Sequence, residues 1–251
     1  MIGARDFGCV AANMQYRCVG LCALSVLILC MAEESLAGPE EKEFRAMRES
    51  MVATQIEGRG VADPRVLEAM RKVPRHKFVL PDSVDAAYDD YPLPIGHGQT
   101  ISQPYIVAYM CELAQLQGTH KVLEVGTGSG YHASVMAQIA AEIYTVEIIP
   151  ELAAQAASTI AKLGYDNIHV RHADGYQGWK EEAPFDAIIV TAAADQIPPP
   201  LIEQLRDGGR MIIPVGLPAF IQQIVVVEKR DGRISSREVL PVRFVPLTGN
   251  H

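Results

Sequence analysis

Glu124, the run Gly126-x-Gly128-x-Gly130, Glu147 and Asp174 are the residues whose types and spacing can do chemistry together in this 251-residue chain. A glycine-rich loop directly after an apolar strand lets backbone approach a ligand closely at the mouth of a sheet. Loops that hold dinucleotides space their glycines G-x-G-x-x-G. Here Tyr131 stands where the third glycine belongs, and that glycine comes one residue early, at Gly130. Glu124 precedes the loop. A carboxylate beside a pyrophosphate is repelled by about 4 kcal/mol at 4 Å in an effective dielectric near 20, so it suits a cation instead. Glu147 closes the next strand, where such sheets hold a ribose diol. Asp174 and Gly175 follow the third strand and can meet a base edge. A nucleoside with a cationic centre and no phosphate is S-adenosylmethionine. On these residues alone a nicotinamide dinucleotide stays open, because it also uses a carboxylate at a strand end. Glu147 as an ordinary solvated strand end stays open as well.

The elements that must position these groups alternate. Strands are expected at 121–125, 142–147, 167–171, 185–191 and 209–215, with helices at 131–140, 150–163 and 200–205 between them. That alternation predicts an α/β fold with a doubly wound, mostly parallel, Rossmann-like sheet. Two further β-rich runs, 221–229 and 238–245, flank Asp231-Gly232, a hairpin signal that adds antiparallel strands at one edge. Before the sheet, 39–58 reads as a polar amphipathic helix. Asp63-Pro64 starts a second helix by capping acid and first-turn proline. Prolines and glycines make 80–100 a loop with a short strand at most, and Gln103-Pro104 opens a helix to about 116.

The chain is 49% hydrophobic and 21% charged, with net charge −8. The acidic total argues against binding a nucleic-acid backbone, which favours a basic face. The leader differs from the rest. Residues 19–32 are apolar apart from Ser25 and two cysteines, Arg5 and Arg17 precede them, and Ser35-Leu36-Ala37 reads as a cleavage site. Residues 1–37 are expected to be a signal peptide or membrane anchor; the alternative is a true start at Met31, Met47 or Met51. Residues 38–251 are expected to form one domain, a helical and loop cap over 38–116 and a sheet core over 117–251. Four of the five cysteines lie in the leader, so beyond it Cys111 has no disulfide partner. His169 and His172 are three apart with no third ligand in view, and no metal is expected.

Four segments together resemble the protein-L-isoaspartate O-methyltransferases: Gly98-Gln-Thr-Ile-Ser-Gln-Pro104, Leu123-Glu-Val-Gly-Thr-Gly-Ser-Gly-Tyr131, Asp174-Gly-Tyr-Gln-Gly-Trp179 and Pro184-Phe-Asp-Ala-Ile-Ile-Val-Thr-Ala-Ala193. Val73-Pro-Arg-His-Lys-Phe78, Pro214-Val-Gly216 and Val242-Arg-Phe-Val-Pro-Leu247 are similar to that family too. The likeness runs from about residue 47 to 247. It implies a class I methyltransferase that moves a methyl group from S-adenosylmethionine to the free α-carboxylate of isoaspartyl residues in aged proteins. The ester then closes to a succinimide, which reopens partly to aspartate. The resemblance makes Ser102 the active-site residue, with Thr100, Ile101, Thr191 and Ala192 at the substrate. It puts Glu124, Gly126, Thr127, Gly128, Glu147, Asp174, Gly175 and Gln222 at the methyl donor. Gln222 lies where the sequence, Leu217-Pro-Ala-Phe-Ile-Gln222, matches the family only loosely. Isoaspartyl proteins and peptides are the implied partners, with no nucleic acid, a monomer as default, and the cytoplasm as compartment unless the leader exports or anchors the chain. A methyltransferase for another carboxylate or a small molecule on the same scaffold is the alternative.

The implied chemistry asks little of the protein. A carboxylate is already ionised near neutral pH and needs no general base, so alignment, worth about 7–11 kcal/mol, dominates. The Ser102 hydroxyl can donate one hydrogen bond to one acceptor oxygen and leave the other to attack. Its bland alternative is a helix N-cap before Pro104. Trp179 is expected in the core or a cleft wall, and His97 as a solvated loop residue. The loop 92–102 can close over both ligands and exclude water.

Overall fold

A computed structural model gives the structure of the protein and describes residues 38–217 and 220–249. The leader expected over residues 1–37 lies outside the described residues. The chain divides into two compact units, residues 1–44 and 45–251. Of the first, residues 38–44 are described, as the start of helix α1 (Pro39–Met51).

The second unit begins with the rest of that helix, which widens into a π turn at Val52–Ile56 and tightens at Glu57–Arg59. Helix α2 (Pro64–Lys72) starts where proline at the first position and a capping acid require it: the Asp63 carboxylate accepts from Arg65 N at 2.9 Å. The proline-rich stretch holds a short antiparallel pair, β1 (Leu93–Gly96) and β2 (Gln99–Ile101), with His97 exposed at its tip. Helix α3 (Pro104–Ala114) follows.

A seven-stranded sheet fills the centre. Its strands are β3 (Lys121–Val125), β4 (Glu142–Glu147), β5 (Ile168–His172), β6 (Phe185–Val190), β7 (Leu205–Val215), β8 (Gln222–Arg230) and β9 (Arg233–Val242). They lie in the order β5-β4-β3-β6-β7-β8-β9, parallel through β7 and antiparallel beyond it. Helices α4 (Tyr131–Ala137), α5 (Pro150–Lys162) and α6 (Pro199–Gln204) are the crossovers. Leu123, Val125, Ile188, Val190, Met211 and Ile213, buried and apolar, make the centre of the core. Strands covered on both faces read as near-continuous apolar runs, as Asp186-Ala-Ile-Ile-Val190 does.

The chain leaves β3 toward β4 and β5, then returns to lay β6 on the other side of β3. The crevice at the carboxyl ends of β3 and β6 is therefore the switch point where such sheets bind ligands. The β8–β9 hairpin turns on two residues, Asp231 at φ 51° and Gly232 at φ 71°, the left-handed pair of a tight hairpin turn. Strand β9 begins at Arg233, earlier than its apolar residues indicate, because ladder pairing with β8 and the turn carry the polar run Arg233-Ile-Ser-Ser-Arg237.

Candidate functional site

The loop after β3 is bent by three left-handed glycines, and two of them bear on the ligand face. Gly126 has φ 100°, and a β-carbon there would strike the Thr191 hydroxyl; Gly128 has φ 54° and lies against Ile95 of β1. Any side chain at Gly126 would cost strain as well as space. The loop is tied to both neighbouring strands. Gly126 N donates to Val146 O at 2.8 Å, Thr191 N to Val125 O at 2.9 Å, and the Thr191 hydroxyl to Gly126 O at 2.6 Å. Below it, the fully buried Arg75 donates through Nε to Ala87 O at 2.7 Å and sets its guanidinium 4.8 Å from the Tyr131 ring. That contact anchors the helix that leaves the loop.

Glu147 ends β4 with its carboxylate turned back to the loop. One oxygen accepts from Gly128 N at 2.8 Å and the other from Ile149 N at 3.0 Å. A carboxylate has about four lone-pair sites, so each oxygen keeps a place for a diol. Glu147, Gly126, Gly128 and Gly175 line one cleft with Thr100, Thr191 and Ala192, and residues 245–248 form its far wall. It holds about 60 Å³. Asp174 lines none of the three cavities at this crevice. It caps the turn after β5, accepting from Tyr176 N at 3.0 Å, and lies against Gly249.

Glu124 behaves differently from the sequence reading, which set its charge against the ligand. It is 0% exposed, beneath the loop, and lines none of these cavities. One oxygen accepts from the Thr145 hydroxyl at 2.5 Å, and Thr145 lies 2.7 Å from the Thr127 hydroxyl. Burial pushes the Glu124 carboxyl up to about 8, the Thr145 hydrogen bond opposing and the Glu147 charge assisting. At neutral pH it is mostly a neutral acid, so its charge cannot discriminate the ligand. Its other oxygen has no hydrogen-bond partner among the described residues. Next to it, the Cys111 thiol lies 3.3 Å from His132 Nε2. Burial raises the thiol above its usual range and lowers the imidazole to about 3, so both stay neutral.

A second cleft of about 560 Å³ opens on the other side of Thr100 and Thr191, which line both. Ser102, Tyr105, Ile221 and Arg243 also line it. The residue capping α3 is Gln103, without a side-chain cap bond, so Ser102 is not the cap. The Ser102 hydroxyl is half-buried and makes no hydrogen bond with the described residues. A small cavity of about 30 Å³, bounded by Ser102, Ile101, Thr127 and Gly128, lies against both clefts through Thr100 and Thr191. Gln222 lines none of the three. It is buried, its oxygen accepting from Phe244 N at 2.9 Å and its amide donating to Phe220 O at 2.9 Å. Trp179 packs edge-on to Tyr144 at 5.4 Å, away from the clefts. Sequence reasoning singled out neither Arg59 and Arg243 nor the wall at 245–248, though the segment Val242-Arg-Phe-Val-Pro-Leu247 that carries part of the resemblance contains most of them.

Residues 46–251 match the family model described as protein-L-isoaspartate(D-aspartate) O-methyltransferase. A protein-L-isoaspartate O-methyltransferase 2 of Polaromonas sp. is 62% identical over 193 residues, 76% of this chain and 92% of that protein. Its namesake from Syntrophobacter fumaroxidans is 52% identical over 238 residues, 91% of this chain and 96% of that protein. A solved protein-L-isoaspartate O-methyltransferase superposes with TM-score 0.73 at 29% identity, over 81% of this chain and 66% of its own. A Plasmodium falciparum protein assigned to the same group, solved in complex with S-adenosyl-L-homocysteine, superposes with TM-score 0.71 at 28% identity, over 81% of this chain and 99% of its own.

Proposed function

The chain belongs to the protein-L-isoaspartate(D-aspartate) O-methyltransferase family, and on that premise we propose that it esterifies the free α-carboxylate of L-isoaspartyl residues in damaged proteins, using S-adenosylmethionine. The family match across residues 46–251 carries this reading. Glycines without room for side chains and a carboxylate with spare acceptor sites fit a nucleoside donor. When bound, that donor supplies an electrophilic methyl group on sulfur.

The protein's own part is positioning. Glu147 braces the glycine loop and offers acceptors to a ribose diol. Gly175 closes the base end, on the turn that Asp174 caps. Thr100 and Thr191, common to both clefts, set the boundary across which the acceptor meets the donor. Ser102 donates one hydrogen bond to the acceptor carboxylate and leaves the second oxygen free. No group near the crossing needs to take a proton, in keeping with a neutral Glu124, His132 and Cys111. The ester then closes to a succinimide without further help.

Exposed isoaspartyl segments of aged proteins are the substrates, met by a monomer without a stable partner. No helix among the described residues is long and apolar enough to cross a membrane. We place the activity in the cytoplasm, where the methyl donor is made. Mass spectrometry of an isoaspartyl peptide incubated with the protein and the donor tests the reading. The peptide should gain one methyl group, lose it as methanol to form a succinimide, and reopen partly to aspartate. A methylated product that survives base, or methylation of an unrelated acceptor only, would overturn it.

A further inference from the structure

The acceptor cleft carries a charge the rest of the molecule does not. The chain as a whole is acidic, at net charge −8, yet the residues lining the cleft include two arginines and no aspartate or glutamate. Arg59 is committed. Its Nη1 lies 2.9 Å from the Asp90 carboxylate and its guanidinium sits 3.6 Å over the Tyr105 ring. Arg243 is not. It follows the end of β9, is exposed, and makes no ion pair or side-chain hydrogen bond among the described residues. It lines the same cleft as Ser102, across from β2 and α3.

The acceptor carboxylate itself is a poor partner for this guanidinium. A bidentate arginine would engage both oxygens and leave none free to attack. The acceptor also loses its negative charge as the ester forms. A cation paired with it would stabilise the bound substrate more than the transition state and slow the reaction. A second carboxylate beside the acceptor has neither drawback, because its charge is unchanged throughout. Resting on the function proposed above, we propose that Arg243 is a specificity-determining residue that favours isoaspartyl segments with an aspartate or glutamate next to the damaged residue.

Because such a contact is equal in the ground and transition states, it acts on KM and leaves kcat unchanged. The pair is exposed, so its effect is about twofold to fivefold, and it shrinks as salt is raised. The test uses the full chain, with isoaspartyl peptides carrying Glu, Gln or Lys on either side of the damaged residue. For one side, KM should rise in the order Glu, Gln, Lys at constant kcat. Arg243→Gln should collapse the order, bringing KM for the Glu peptide to that for the Gln peptide, and Arg243→Lys should retain it in part. Equal KM for all three peptides, or the same order in Arg243→Gln, overturns the inference while leaving the proposed function intact. A protein that binds the donor but methylates no isoaspartyl peptide overturns both.

Discussion

Replacing Glu147 with glutamine separates a brace from a binding group. In the structure one carboxylate oxygen holds Gly128 N at 2.8 Å and the other holds Ile149 N at 3.0 Å, with the residue 6% exposed. The amide oxygen of Glu147→Gln can keep one of these donors. Its NH2 then faces the other, leaving a backbone N–H without its acceptor at a cost of about 1–3 kcal/mol. If Glu147 only braces the loop, the loss ends there, as a lower melting temperature. If it also holds a ribose diol, binding loses hydrogen bonds to a charged acceptor, each worth about 1.5–3 kcal/mol. At 1.4 kcal/mol per factor of ten, Kd rises about tenfold to more than a hundredfold. Calorimetric titration with S-adenosylhomocysteine, well below the melting temperature of the variant, reads this directly. A lower melting temperature with Kd within twofold of the parent would refute the diol assignment.

Two other substitutions test the remaining chemistry. Ser102→Ala removes a half-buried hydroxyl with no hydrogen bond to the described residues, so melting temperature and donor Kd should stay put. The lost bond to the acceptor should lower kcat/KM about tenfold to a hundredfold; unchanged kcat/KM removes Ser102 from the site. Burial raises the folded-state pKa of Glu124 to about 8 from the ordinary 4.5. Between those values the folded protein holds a proton that the unfolded chain has lost, so stability falls as pH rises through that window and levels off above it. Glu124→Gln, which keeps an acceptor for Thr145, should flatten this part of the melting-temperature profile. An identical slope in parent and variant would show that Glu124 is ionised in the fold.

The parts of the site that local pattern controls were legible in the sequence. Gly126-x-Gly128-x-Gly130 had to be a bend after a strand, because only glycine tolerates its dihedral angles and its approach to Thr191. Asp231-Gly232 had to be a tight turn for the same reason. What pattern could not give was direction. Glu124 sits two residues before the loop, and in a strand that spacing does not say whether a carboxylate meets a ligand or Thr145 of the next strand; the parallel register Glu124↔Thr145 decides it. Arg243 was illegible for a different reason. Its proposed role comes from the absence of other free charge in a cleft assembled from residues far apart in the chain, from Arg59 to Val245. The first residues of β9 escaped because an exposed edge strand needs no apolar alternation.

The most direct test of the account is methyl transfer to paired peptides identical except for isoaspartate or aspartate at one position. With the full chain and radiolabelled S-adenosylmethionine, the account predicts base-labile methyl ester on the isoaspartyl peptide and none on the aspartyl one. Equal label on both, or none on either while the donor still binds, would contradict it.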